Sequence, residues 1–152
     1  MHTEKTIKYL RINHAVAFIA TLAIIVSFES GFLQKGVLTA FLSANDLYML
    51  EITAVMTTIA LIPLALKSFS RAMNKAASGN KMKLLKTFSN MNLVRISLLF
   101  VVIVVNAFIY YGIEYDGALY CGLFGYCALI YSYPSKRTLE SYQNNEQEAH
   151  KA

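Results

Sequence analysis

The sequence predicts an all-α polytopic membrane protein: a single domain, residues 1–152, built as a bundle of four transmembrane helices with both termini in the cytoplasm. Three observations predict this fold. The chain is 56% hydrophobic and only 15% charged, whereas about a quarter of the residues in soluble domains are charged. Its apolar residues fall in four long segments. Its basic residues lie almost entirely on one side of those segments.

The four predicted spans are 12–28, 47–66, 93–111 and 117–133. Each approaches the roughly 20 residues with which an α-helix crosses the hydrocarbon core. The third is the clearest, because Leu98 to Val105 is an unbroken apolar run. Strand edges cannot be satisfied in lipid, so we expect helices. Residues 134–152 are polar and predict a cytoplasmic tail.

The orientation follows from the basic residues. Thirteen of the 14 lysines and arginines lie on one side of the predicted spans, and only Lys35 lies on the other. Such residues are retained in the cytoplasm during insertion, so both termini are expected inside. A cleaved signal peptide is the alternative for the first span. We expect the span to be kept, because Phe28, Glu29 and Ser30 form no small-residue cleavage site.

Two loops carry further predictions. The apolar residues of loop 31–46 favour either a short helix in the outer interface or a lid over a site between the helices, and Ser43 to Asp46 offer caps for the second span. In loop 67–92, Ser78 to Asn80 predict a turn, and the segment after it is expected to lie on the membrane surface. Five basic residues of this loop are expected to contact anionic lipid: Arg71, Lys75, Lys81, Lys83 and Lys86.

Polar residues inside a span are costly unless they are paired, so they mark candidate sites. Glu51 and Asn106 have similar predicted depths below the outer surface. We expect them to meet across the bundle, with Thr58 and Tyr110 beside them. The alternative is that Glu51 lies at the interface and reaches outward to water.

A second candidate cluster lies near the cytoplasmic surface. Asn13 and His14 begin the first span and Arg95 begins the third, so these three side chains are expected to gather there. For His14 the alternative is a simple anchor at the membrane interface.

The fourth span contains Gly117, Cys121 and Gly125 at a spacing of four residues. Small residues at this spacing let another helix approach closely. The sequence leaves open whether this strip packs inside one bundle or between two copies. Cys121 and Cys127 point to different faces of one helix, so no bridge between them is expected.

These features favour a non-enzymatic accessory, scaffold or oligomeric membrane component. Its expected partners are the lipid bilayer, anionic lipids, and a second copy or another membrane protein. A small transporter or ion path through Glu51 is the alternative. An enzyme is disfavoured, because the sequence has no metal-ligand cluster, cofactor motif or phosphate loop. Nucleic acid is not an expected partner, because no recognition motif accompanies the basic residues.

Three segments carry a resemblance to known proteins: Phe28 to Leu33 (FESGFL), Thr58 to Lys67 (TIALIPLALK) and Pro134 to Ser141 (PSKRTLES). Together the chain resembles small four-span bacterial membrane proteins that have no assigned activity. The resemblance implies a location in the bacterial inner membrane and carries no catalytic or binding residues to this sequence.

Overall fold

A computed structural model describes residues 2–77 and 81–149, with side chains over 4–76 and 82–142. All regular structure in this part of the chain is helical. The predicted turn at 78–80, the side chain of Lys81 and the end of the tail lie outside the described residues. The elements are α1 (His2–Glu29), a 3-10 helix (Val37–Ala40), α2 (Ala44–Ala77), α3 (Lys81–Ile113), α4 (Asp116–Tyr131) and α5 (Lys136–Ala149).

Within the described chain three helices, not four, are long and apolar enough to cross a membrane. They are α1 over Glu4–Glu29, α2 over Ala44–Ala76 and α3 over Met82–Ile113. The expected fourth span at 117–133 is an apolar helix of 16 residues, about 24 Å long at 1.5 Å per residue. It ends early because the residue before a proline disfavours helical geometry, and Pro134 follows closely.

The helix α3 is at the centre of the bundle, where it packs against α1, α2 and α4, and α4 also packs against α2. Consecutive helices run antiparallel, which gives the bundle two distinct ends. We call the end that holds the start of α1, the end of α2, the start of α3 and α5 the basic end. The opposite end holds residues 30–43 and the short turn between α3 and α4.

The basic end has its own hydrophobic core. The segment after residue 80, which was expected to lie on the membrane surface, is part of that core. Instead of lying flat, this segment is the first part of α3, which forms a long antiparallel pair with α2. Leu84 and Phe88 of this segment are buried against other helices, whereas Met82 is exposed. The basic-end core consists of Ile7, Leu10, Phe69, Met73, Ala76, Leu84, Phe88 and Leu139.

The expected polar tail is also folded: most of it is the helix α5, which closes the basic-end core. Leu139 is 2% exposed within that core. The Lys136 ammonium lies 2.9 Å from the Glu4 carboxylate, and the Arg11 guanidinium donates to the Pro134 carbonyl at 3.4 Å. Leu139, the partly buried Tyr142 and two contacts with α1 therefore hold a segment whose composition is polar.

The loop at the opposite end contains a short helix, as one turn of 3-10 helix at Val37–Ala40. The Gly36 amide donates to the Tyr111 carbonyl at 2.8 Å. A Cβ on Gly112 would lie 2.6 Å from the Leu38 side chain, so the glycine is what lets the loop seat on α3. The predicted helix cap is present, because the Ser43 hydroxyl donates to the Asp46 carboxylate at 2.6 Å and accepts the Asp46 amide at 3.3 Å.

Candidate functional site

A buried polar contact in the apolar part of the bundle joins α3 to α2. Asn106 is fully buried, and its amide nitrogen donates to the Thr58 hydroxyl at 3.0 Å and to the Val102 carbonyl at 2.8 Å. The Thr58 hydroxyl in turn donates to the Ala54 carbonyl at 2.9 Å. Two of the four residues of the expected cluster are therefore bonded to each other across the helix interface.

Glu51 does not join this pair. Thr58 and Asn106 face each other on antiparallel helices, and Glu51 lies seven residues before Thr58. Glu51 is therefore level with the residue seven positions after Asn106, which is Ile113, the last residue of α3. That places it about 10 Å along the axis from the buried amide. The described residues give Glu51 no hydrogen bond or ion pair, and its side chain is half-buried. This geometry supports the interfacial alternative for Glu51.

Tyr110 lies beside a polar group at the opposite end, formed by Tyr111, Glu29 and Lys35, that the sequence did not predict. Its ring lies 4.8 Å from that of Tyr111, which stacks on Phe28 at 4.4 Å. The Tyr111 hydroxyl donates to one carboxylate oxygen of Glu29 at 2.9 Å, and Lys35 lies 2.9 Å from the other. The sequence indicates this group through Lys35, the one basic residue on that side of the predicted spans, which follows Glu29 by six residues.

At the basic end, His14 and Arg95 converge on the last turn of α4. His14 Nε2 donates to the Leu129 carbonyl at 2.8 Å, and Arg95 Nη2 donates to the Ser132 carbonyl at 2.7 Å. The last carbonyls of a helix have no partner within it, so positive or donating side chains stabilise that end. The two residues therefore fix the position of α4 against α1 and α3.

The third residue of the predicted inner cluster lies elsewhere. The Asn13 side chain donates to the Tyr9 carbonyl of its own helix at 3.1 Å. The sequence did not indicate two partners of Arg95. The side-chain oxygen of Asn92 accepts a hydrogen bond from the Arg95 guanidinium at 2.7 Å. The ring centroid of Phe69 lies 4.1 Å from the central carbon of the same guanidinium. Asn92 sits one turn before Arg95, a spacing that indicates a shared face.

The small-residue strip on α4 is shifted from the predicted one. Gly125 is buried, and a Cβ there would lie 2.9 Å from Ile103. Gly117 and Cys121 are only half-buried. Ala118, which is in one cluster with Ile109, and Gly122, where a Cβ would lie 3.7 Å from Asn106, continue the face toward α3. Of the predicted strip, Gly125 therefore packs on α3 of the same chain.

The basic residues expected at anionic lipid surround the basic-end core. Arg71, Lys75, Lys83 and Lys86 are all exposed. Among the described residues, no three His, Cys, Asp or Glu side chains are grouped to hold a metal ion.

Taken together, the buried polar groups bond mainly to neighbouring helices and to backbone carbonyls, so their evident role is to hold the bundle together. Comparisons with protein-family models, with curated proteins and with solved structures gave no match. Any functional assignment therefore depends on the geometry of the chain itself.

Proposed function

We propose that this chain is a non-enzymatic integral protein of the bacterial inner membrane that spans it four times, through α1 to α4. In this proposal the basic end faces the cytoplasm and acts as a scaffold for a second copy or another membrane protein. The observation that carries the proposal is the basic-end core. It packs the ends of α1, α2 and α3 and the helix α5 together, so the chain has a folded surface beyond its most apolar segments. Exposed lysines and arginines on that surface suit contact with anionic lipid headgroups.

The membrane position of α4 is supported by its surface. Large apolar side chains face outward along its length, among them Tyr120, Leu123, Phe124 and Ile130. A helix shorter than the hydrocarbon core is tolerated through local thinning of the bilayer, at a fraction of a kcal/mol per Å. Burial of the same face in lipid contributes far more than that cost, at about 25 cal/mol per Å².

The test of this topology is labelling from outside intact bacteria. In a chain carrying Cys121→Ser and Cys127→Ser, single cysteines are placed at the two ends as Asn45→Cys and Lys86→Cys. A membrane-impermeant maleimide should label the first in intact cells and the second only after permeabilisation. Labelling of Lys86→Cys in intact cells would refute the orientation.

The scaffold role is tested by purification in a mild detergent and by measurement of the particle mass. A defined oligomer or a stoichiometric membrane-protein partner is the expected result, and a monomer without a partner would contradict it. Transport through Glu51 has less support, because that residue is two turns from the buried Asn106–Thr58 pair. Proton-linked uptake into liposomes that is lost in Glu51→Gln would reverse this preference.

A further inference from the structure

Two surface grooves lie between α1 and α3, and no residue of α2 or α4 lines either one. The first is at the basic end, between Thr6 of α1 and residues 82–90 of α3. The second is nearer the middle of the bundle, between residues 13–20 of α1 and 93–101 of α3. Both helices begin at the basic end, so they run parallel and the two grooves follow one another along the same pair of helices.

The lining positions place both grooves on one face of each helix. On α3, Lys86 and Asn90 of the first groove are followed by Leu93 and Ser97 of the second, at spacings of three or four residues. Residues at such spacings share a helix face. On α1, the first and second grooves are joined by positions 6 and 13, which are two turns apart. We call the combined feature the α1–α3 groove.

The α1–α3 groove is polar and positively charged at the basic end and apolar beyond it. Lys86, Ser89 and Asn90 line the basic-end part, and Lys83 is exposed one turn before Lys86. Neither Lys86 nor Asn90 has a side-chain hydrogen bond or ion pair with another described residue. Seven of the nine residues that line the second part are apolar, and no acidic residue lines either part.

The length of the apolar part matches one leaflet of a bilayer. From Asn90 to Val101 the helix α3 rises about 16 Å, at 1.5 Å per residue. Half of a hydrocarbon core of about 30 Å is about 15 Å. Val101 is also next to the middle of the predicted third span, 93–111. The α1–α3 groove therefore extends from the level of the headgroups to about the midplane of the bilayer.

We propose that the α1–α3 groove binds one phospholipid with an anionic headgroup. The headgroup lies beside Lys86 and Asn90, whose ammonium and amide groups donate to its phosphate oxygens, and one acyl chain lies along Ala20 and Phe100. A helix from a second copy would need matching surface across both leaflets, whereas this groove serves one. The site deepens the lipid contact in the proposed function, and it rests on that proposal in placing the basic end at a headgroup layer.

The experiment uses the full chain in phosphatidylcholine bilayers. The chain contains no tryptophan, so a single introduced tryptophan reports contact with lipids whose acyl chains carry bromine, a quencher of its fluorescence. Phe100→Trp places this reporter in the groove. Phe124→Trp is the matched control on α4, at a position 66% exposed. Its depth is similar, because Phe18 and Tyr126 are in contact and both Ala20 and Phe124 lie two residues from that contact toward the opposite end.

Brominated phosphatidylglycerol should bind beside the tryptophan of Phe100→Trp about five-fold more tightly than brominated phosphatidylcholine. That ratio is the equivalent of about 1 kcal/mol from one basic side chain. Beside the tryptophan of Phe124→Trp the two lipids should bind equally. Equal binding at Phe100→Trp, or the same preference at both positions, would overturn the proposal.

Lys86→Gln in the Phe100→Trp chain should bring the ratio close to one. Lys67→Gln makes the same change of charge at an exposed position on α2, outside the groove, and should keep the preference. A preference that survives Lys86→Gln, or that Lys67→Gln removes equally, would refute the assigned headgroup site. Quenching at Phe124→Trp without quenching at Phe100→Trp would mean that protein covers the groove and would also refute it. Quenching at neither position would refute the membrane location itself, and with it the proposed function.

Discussion

At the scale of single residues, the buried amide of Asn106 shows what a polar side chain does in an apolar bundle. Its nitrogen has two acceptors, one on α2 and one on its own helix. Hydrogen bonds between membrane helices contribute on average about 0.6 kcal/mol and at most about 1.7 kcal/mol. Asn106 therefore contributes more to the choice of helix register than to total stability, because only one alignment of α2 and α3 brings Thr58 opposite it.

Asn106→Leu should lower the free energy of unfolding by about 1 kcal/mol, because it removes the bond to Thr58 and leaves that hydroxyl without its donor. The measurement is denaturation of the purified protein by increasing SDS in mixed micelles. Glu51→Gln is the matched control on the facing helix, and should leave the midpoint unchanged because Glu51 has no partner among the described residues. Equal losses in the two variants would mean that Glu51 belongs to the buried pair after all.

At the scale of helices, hydropathy predicted where the apolar parts of α1, α2 and α3 lie, and spacing along α3 correctly predicted that Asn106 faces other helices. The offset between α2 and α3 along the bundle axis was not predictable. Thr58 lies 14 residues into α2 and Asn106 seven residues before the end of α3, so α2 extends about 10 Å further. Depth counted from each helix end therefore placed Glu51 at the wrong level, because local composition does not encode the relative height of two helices.

The close approach of α4 to α3 gives a prediction at this scale. Gly125→Ala should destabilise the bundle by about 1 to 3 kcal/mol, because the new Cβ would lie 2.9 Å from Ile103 and one helix must move. Gly122→Ala is the control: its Cβ would meet Asn106 at 3.7 Å, an ordinary contact. Both changes favour the helix equally, so the difference between their SDS midpoints isolates the packing term. A Gly122→Ala loss as large as that of Gly125→Ala would contradict the assigned helix face.

At the scale of the whole molecule, the basic end is the part that the sequence predicted least well. Leu84 and Phe88 sit among lysines, a pattern that fits a membrane surface and a neighbouring helix equally, because both offer an apolar partner. The helix α5 gave even less signal. Its apolar contacts with the basic-end core are made by Leu139 and Tyr142, and two apolar residues among polar ones do not distinguish a docked helix from a solvated tail.

Leu139→Ala should cost about 2 to 4 kcal/mol, since it removes a fully buried side chain from the basic-end core. It should also release α5, so that limited trypsin treatment cleaves after Arg137 much faster than in the parent. Glu140→Ala, at an exposed neighbouring position, is the control and should change neither property. Unaltered proteolysis in Leu139→Ala would show that α5 is held by other contacts.

The basic-end core joins α1 to α5, since Ile7 and Leu10 of α1 pack in the same cluster as Leu139 of α5. During synthesis, at about 5 to 20 residues per second, Ile7 and Leu10 therefore wait on the order of ten seconds for Leu139 to be made. Throughout that interval the nascent chain displays an incomplete apolar surface at the membrane. A polypeptide truncated before α5 would leave that surface without the helix that covers it.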